Sequence, residues 1–300
     1  MKKPLSIKIE SHAPSECSAS EVLNDNDTFF VKELKGYSGC KIYIMQTNGK
    51  PVVRKISSNP QYNIRLEKQC RKQSDYARAH ASKIIQYGIK DGLFFFDMEY
   101  VKGCSFAEHI LKLPISELSS LVNGLFELID TREQASTEAI DIVKQKIDSL
   151  RYLQDSYVSL KPAFAHLDAC DWSGLGQGEC HGDLTFENIM VSESGDLKLI
   201  DFLDSFLNSA TIDAAKILQE LLLRWSYRNQ MLSLDDEIKL SYARDVFINR
   251  LSQENPLMLV NSLDMLLLNV LRNYPYLKDK KTETFLDKAV SKLLNKGKIQ

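Results

Sequence analysis

Short strand-like apolar runs bounded by turn residues fill much of the first hundred positions, and apolar residues recur at three-and-four spacing through much of the rest of the chain. TFFVKELK (28–35), CKIYIMQ (40–46) and KPVVRKI (50–56) read as three strands, separated by KGYSG and TNGK, which put glycine where a turn needs it. A helix comes next. Ser58-Asn59-Pro60 supplies an N-cap followed by proline at the first helical position, and the helical pattern continues through YNIRLEKQCRKQSDYARAH. SKIIQYGI and LFFFDMEYV return to the strand pattern across a KDG turn. The order strand-strand-strand-helix-strand-strand describes a small α+β unit, not the alternation of a parallel α/β sheet.

After Val101-Lys102-Gly103 the pattern becomes helical. Leu118, Leu121, Val122, Leu125, Leu128 and Ile129 recur at three-and-four spacing, as do Ile140, Val143, Ile147 and Leu150, and both sets read as core-facing stripes. Two short strands, IMVS and LKLI, interrupt the helices around a Ser-Gly-Asp turn. Helical segments resume at AAKILQELLLRWSY, DEIKLSYARDVFINRL and PLMLVNSLDMLLLNVL, ending in a lysine-rich helix. There is no repeat and no low-complexity linker. The expectation is an α+β, bilobal chain, with a first lobe over 1–102 (antiparallel sheet and one helix) and a mainly helical second lobe over 103–300.

Composition narrows the partners. With 38 basic and 40 acidic residues among 300 the net charge is −2, so no single-sign field points to nucleic acid or an anionic membrane. The six cysteines are dispersed, without a Cys-x-x-Cys pair, as in a reducing compartment. Pro4, Lys8 and Glu10 break any apolar run at the start, and NPLMLVNSLDMLLLNVLRNY carries Asn and Asp inside it and falls short of a bilayer span. A cytoplasmic protein without membrane insertion is expected.

The chemistry concentrates in ECHGDLTFENIMVSESGDLKLIDF, residues 179–202. Asp183 and Asn188 are five apart, the spacing between base and metal ligand in the kinase catalytic pattern H-R-D-L-x-x-x-N. Beyond a predicted hairpin, Leu-Ile-Asp-Phe presents Asp201 where the Asp of D-F-G offers magnesium a carboxylate. HGDLTFEN followed by LKLIDF resembles the catalytic segment of the aminoglycoside phosphotransferase and choline kinase family, protein-kinase-like enzymes that phosphorylate small molecules. The resemblance implies that Asp183 is the catalytic base, that Asn188 and Asp201 are Mg2+ ligands, and that His181 supports the loop. It also implies that Asp213, twelve residues past Asp201, braces the loop; read as a sequence, Asp213 equally suits a helix N-terminus.

The upstream half agrees in order. Val52-Val53-Arg54-Lys55 matches V-A-I-K, with Lys55 as the phosphate-binding cation, Arg54 as its rival, and Glu67 on the following helix as the expected partner of Lys55. The turn KGYSGCKI offers backbone N–H groups at Ser38 and Gly39 to phosphate, although it departs from G-x-G-x-x-G. DMEYVKG (97–103) resembles the hinge, whose backbone at Glu99 and Val101 would bind the base of ATP or GTP.

Gly182 replaces the arginine of regulated protein kinases, and the chain after Asp201 is too short for a peptide-docking activation segment. The expected substrate is therefore a small molecule carrying a hydroxyl: a sugar, amino-alcohol or aminoglycoside-like acceptor. Asp168, Asp171, Glu179, Asp204 and Glu220 form an acidic set that would draw a cationic acceptor, with ordinary solvated acids as the alternative. Trp172 offers a ring to stack on a substrate, or an anchor for its own loop. The GLGQG run (174–178) reads as a flexible loop. Two rival functions remain: a catalytically silent pseudokinase that senses nucleotide, and a metal hydrolase built on His166-x-Asp168 and His181-x-Asp183.

Overall fold

The computed structural model describes residues 28–34 and 39–295, and it is α+β as expected. The chain divides into two compact units. One takes the described residues up to Gly103 together with Ser192–Asp204, and the other takes Cys104–Val191 and the residues from Ser205 onward.

In the first unit, β1 (Thr28–Leu34), β2 (Cys40–Thr47), β3 (Lys50–Ser57), β4 (Ile84–Lys90) and β5 (Leu93–Glu99) form one antiparallel sheet in the order β1-β2-β3-β5-β4. Two tight hairpins hold it in register. Asn48-Gly49 and Asp91-Gly92 all have positive φ, between 51° and 77°, the conformation that two-residue hairpin turns demand. Helix α1 (Asn63–Asp75) follows a single 3-10 turn, Pro60–Tyr62, whose Asn59 side chain accepts the Tyr62 N–H. The predicted cap is thus in place, but the helix stops at Asp75, short of the predicted His80. Leu66 and Cys70, one turn apart, pack with Val53, Phe94, Phe96 and Met98 into the core of the unit.

Alternation along β3 sends its two adjacent cations to opposite faces of the sheet. Lys55 shares the face of Val53, beneath α1. Arg54, paired across the ladder with Asp97, forms a buried two-pronged ion pair with that carboxylate at 2.7 and 2.8 Å. Gln86 adds a third hydrogen bond to Asp97 at 2.6 Å, and the guanidinium lies 4.4 Å over the Phe95 ring. Arg54 is therefore held within the sheet on that face.

A boundary placed only at residue 103 assigns all later residues to the second lobe; the structure corrects this, because Ser192–Asp204 belongs with the sheet. The reason is backbone satisfaction. The Leu199 N–H donates to the His80 carbonyl at 2.7 Å, and the Ser82 N–H donates to the Leu199 carbonyl at 2.9 Å. Lys72 caps the Leu203 carbonyl at 2.9 Å, and Phe202 meets Tyr76 edge-on at 5.0 Å.

The remaining elements are β6 (Gly103–Ser105), α2 (Phe106–Lys112), α3 (Ile115–Gly124), α4 (Thr137–Asp148), α5 (Leu153–Ser156), α6 (Lys161–Asp168), β7 (Ile189–Ser192), β8 (Leu197–Leu199), α7 (Ala210–Leu223), α8 (Leu234–Glu254), α9 (Pro256–Leu271) and α10 (Lys280–Leu294). In the second unit α7 is buried almost throughout and packs against α8 and α9. Several helix starts are capped by side chains: Ser136, Ser209, Asn255 and Asp279 each accept an N–H from the first turn, and Ser233 with Asp236 completes a capping box. Both predicted stripes are inward, with Leu118, Val122, Leu125, Val143 and Ile147 buried. The glycine-rich loop is packed rather than loose. A Cβ on Gly176 would stand 2.3 Å from the Gln134 carbonyl oxygen, and the Ser136 N–H donates to the Leu175 carbonyl at 2.8 Å. Among the described residues no helix is long and apolar enough to cross a membrane.

The Arg54–Asp97 pair yields a stability prediction. Arg54→Ala leaves the buried Asp97 carboxylate without its cation, which is expected to cost roughly 3–5 kcal/mol. Urea unfolding should show that loss, and Arg54→Ala with Asp97→Ala should be less destabilised than Arg54→Ala alone.

Candidate functional site

Lys55 is 1% exposed, and its ammonium stands 2.5 Å from Asp201 Oδ1. Burial alone would pull the lysine pKa down; the neighbouring carboxylate outweighs it and holds the pKa above the ordinary lysine value. Asp201 has φ +61°, a left-handed conformation that costs a non-glycine residue and recurs at functional positions. Its Oδ1 is committed to Lys55, which leaves Oδ2 as a hard oxygen donor on a partly exposed side chain.

Glu67 is the partner expected for Lys55, and here the structure differs. Glu67 holds Arg71 one turn along α1 at 2.6 Å, on the exposed side of the helix, while Leu66 and Cys70 occupy the buried stripe. Asn63, on the same helix, bridges the β4–β5 turn by bonding the Gly92 carbonyl and the Phe94 N–H, each at 2.9 Å. Ser38 lies outside the described residues. Gly39 packs directly on Tyr62, with a Cβ there falling 2.7 Å from the ring, and its carbonyl accepts from Ser58. At the end of β5 the Glu99 N–H is spent on the Lys83 carbonyl at 2.9 Å. Among the described residues the Val101 N–H has no backbone partner.

In the second unit the loop before β7 is organised by a single carboxylate. Asp213, on the first turn of α7 and 1% exposed, accepts the His181 N–H at 2.6 Å and the Gly182 N–H at 2.8 Å. Gly182 has φ +87°, which explains glycine at this position independently of any regulatory role. The Asp183 N–H donates to His181 Nδ1 at 3.2 Å. Asn188 Nδ2 then closes the loop by donating to the Asp183 carbonyl at 2.8 Å and to its Oδ2 at 3.2 Å, which turns the Asn188 carbonyl oxygen outward. Asp183 and Asn188 are thereby brought together as their spacing predicts.

Lys216 is the residue that sequence reasoning missed. Its Nζ lies 2.9 Å from Asp183 Oδ1. Burial pushes the Asp183 carboxyl up, but Lys216, His181 and the Asn188 amide together hold it below the ordinary carboxylate range. A readable signal existed: Lys216 falls three residues after Asp213, on the same helical face as the residue that braces the loop.

The acidic set does not act as a group. Asp168 is bound by both terminal nitrogens of Arg151 at 2.6 and 3.1 Å, and Asp171 caps the Ser173 N–H of its own loop. Glu179 is exposed, Asp204 belongs to the first unit beside Lys68, and Glu220 is fully buried. Trp172 is buried too, an anchor rather than an exposed stacking face. The two His-x-Asp pairs do not converge either. His166 turns to Asp264 at 2.9 Å, where Cys170 joins it so that their ligand atoms lie within 4.8 Å of one another.

No protein-family model matches this sequence, and no curated protein does. Solved structures do match. The aminoglycoside phosphotransferase APH(4)-Ia aligns with a TM-score of 0.58 over 91% of this chain and 95% of its own, at 13% identity. A thermostable mutant of that enzyme in ternary complex with ADP and hygromycin B gives 0.58 over 89% and 93%, also at 13% identity. An ethanolamine kinase from Plasmodium vivax gives 0.52 over 92% of this chain and 84% of its own, at 14% identity. The chain thus has the kinase-like fold of these phosphotransferases, in agreement with the motifs.

Glu220 supplies a pH test of this site. Burial pushes its carboxyl up to about 7, against a single hydrogen bond from the Ser226 N–H at 2.9 Å. A raised folded-state pKa means that stability is full below the unfolded value and is lost as pH rises through about 7. Melting temperature should therefore fall between pH 5 and 8, and Glu220→Gln should flatten that dependence.

Proposed function

We propose that this chain, which shares its fold with aminoglycoside phosphotransferases and an ethanolamine kinase, transfers the γ-phosphate of ATP or GTP to a hydroxyl of a small molecule. The observation that carries the reading is Lys55. A lysine on a sheet is ordinarily solvated, yet this one is 1% exposed and bonded to the one aspartate of the Leu-Ile-Asp-Phe motif. Burying an ammonium against a carboxylate from so distant a segment has a clear use in phosphoryl transfer, where a fixed cation meets the α- and β-phosphates. Arg54 is unsuited to that role because Asp97 already holds its side chain on the other face of the sheet, with Gln86 fixing that carboxylate.

Asp183 orients the acceptor hydroxyl and takes its proton as the new phosphorus–oxygen bond forms and the bond from the γ-phosphorus to the bridging oxygen breaks, which releases the nucleoside diphosphate. Its lowered pKa keeps it ionised at neutral pH, and Lys216 and Asn188 fix its two oxygens. Asp213 is a positioning residue, because its carboxylate holds the loop backbone at His181 and Gly182. Asn188 and Asp201 would be the residues that hold Mg2+, each offering a hard oxygen of the kind that ion takes. When bound, magnesium neutralises phosphate charge. Glu99 and Val101 would present a backbone carbonyl and N–H to the nucleotide base, and the turn containing Ser38 and Gly39 would cover the phosphates.

The test is nucleoside diphosphate release (ADP or GDP) by purified protein with Mg2+, ATP or GTP, and a panel of hydroxyl acceptors. Release with at least one acceptor is expected, and none across the panel ends the proposal. Asp183→Asn should lower kcat by about 10²–10⁴-fold while nucleotide still raises the melting temperature. Nucleotide binding without turnover, indifferent to Asp183→Asn, would instead identify a nucleotide-sensing pseudokinase. Lys216→Met removes the cation that offsets the burial of Asp183, so its pKa should rise. The acid limb of kcat/KM should then move to higher pH than in the wild type.

A further inference from the structure

The end of α6 and the middle of α9, both in the second unit, bring together three side chains that phosphoryl transfer does not use: His166, Cys170 and Asp264. His166 and Cys170 are one turn apart, and the turn that closes α6 keeps them on one side. The Ala169 N–H donates to the His166 carbonyl at 3.0 Å, and the Cys170 N–H to the Leu167 carbonyl at 3.4 Å. The Cys170 thiol donates to the His166 carbonyl at 3.2 Å. Asp264 reaches across from α9, and its Oδ1 stands 2.9 Å from His166 Nε2. One ring nitrogen, one sulfur and one carboxylate oxygen thus lie within 4.8 Å of one another. Contacts outside the cluster fix this placement. Asn261, one turn before Asp264 and fully buried, turns its amide to donate to the Asp171 carbonyl at 2.8 Å and to accept the Leu175 N–H at 3.2 Å. Gly174 packs so closely on α9 that a Cβ there would fall 2.3 Å from Leu257 Cγ. The loop after Cys170 is therefore anchored on the helix that carries Asp264.

The donor set selects the ion. Imidazole nitrogen, thiolate sulfur and one carboxylate oxygen suit zinc, whereas magnesium takes oxygen alone. A tetrahedral zinc shell, with Zn–N and Zn–O of about 2.0–2.2 Å and Zn–S of about 2.3 Å, sets its ligand atoms roughly 3.3–3.6 Å apart, so side-chain shifts of about 1 Å or less close the site. Charge agrees with geometry. Asp264 is 3% exposed, and a carboxylate so buried is ordinarily paired or bound to a metal. Zn2+ on a thiolate, a carboxylate and a neutral imidazole carries no net charge, the state that burial penalises least. The His166 side chain is 36% exposed, which gives the ion a path in from solvent and leaves the fourth position to water.

We propose that His166, Cys170 and Asp264 form a zinc site that ties the end of α6 to α9 and uses none of the residues assigned to Mg2+. On binding, the Cys170 S–H bond breaks and its proton leaves to solvent. The sulfur gives up its hydrogen bond to the His166 carbonyl and donates the freed electron pair to zinc; nothing is oxidised or reduced.

Zinc titration of the full chain, without a histidine tag and after treatment with a chelator, is read by thermal shift in excess Mg2+. Stabilisation that saturates at one zinc per chain is expected. Cys170→Ser and His166→Gln should weaken the apparent affinity by more than the roughly 10–100-fold that loss of an outer-shell partner costs, while melting as the wild type does when chelator is present. Cobalt in place of zinc reads the sulfur directly, because a cobalt–thiolate bond adds an ultraviolet charge-transfer band. That band should appear in the wild type and in Cys17→Ser with Cys104→Ser, and be absent in Cys170→Ser. Those two controls matter because Cys17 lies five residues after His12 and the Cys104 sulfur stands 3.9 Å from His109 Nδ1. If Cys170→Ser does not fold, persistence of the band without Cys17 and Cys104 still supports the site, and its loss there overturns it. An absent zinc response, or an equal one in wild type and Cys170→Ser, also overturns it. Asp183→Asn should take up zinc as the wild type does, and loss of zinc in that variant would assign the ion to the catalytic loop instead. Failure of turnover would sink the phosphotransferase reading, whereas the zinc site stands or falls on these metal readings alone.

Discussion

A buried ammonium ion needs an opposite charge, and meeting that need organises the first unit. Lys55 is placed under α1 by the alternation of β3, where water cannot reach it, and without a partner its charge would cost several kcal/mol. The partner, Asp201, is 146 residues further along the chain. Bringing it there requires the segment after β7 to leave the helical unit and lie along residues 80–82 in a parallel bridge. The left-handed backbone at Asp201 belongs to the same constraint, because local conformational energy is given up to aim the carboxylate.

The second unit solves the matching problem for an anion. Asp183 is drawn into a partly buried loop, and the loop remains stable because its charges and backbone dipoles are answered. Asp213 takes the two N–H groups that precede Asp183, Lys216 takes one carboxylate oxygen, and the Asn188 amide takes the other. Both Asp213 and Lys216 project from the start of α7, the most deeply buried helix, so the loop inherits the rigidity of the core.

Arg54 and Lys55 show the same sorting at closer range. They are adjacent in sequence and alike in charge, yet one face of the sheet supplies Asp97, Gln86 and the Phe95 ring, and the other supplies Asp201. Glu67 is a reasonable partner for Lys55 by position, since a helix carries it across the same face. The phase of α1 decides otherwise: Leu66 and Cys70 claim the buried stripe, and Glu67 is turned toward Arg71.

Periodicity and turn chemistry determined the secondary structure of this protein from the sequence alone. The glycine-bearing hairpins, the Asn59-Pro60 helix start, the buried stripes of α3 and α4 and the strands around the Ser-Gly-Asp turn are local decisions, made by neighbours within a few residues. The Asp183–Asn188 closure was legible for the same reason, because five residues of loop bring the two together. Other features lay beyond reach. Which cation Asp201 would meet, where Glu67 would turn, that the glycine loop is packed on Gln134, and that Lys216 rather than an acidic cluster would face Asp183 all depend on partners brought together by the fold. Charge pairing in a folded chain is a contest among every group brought near, and its outcome is set by distance and burial, which a linear sequence does not contain.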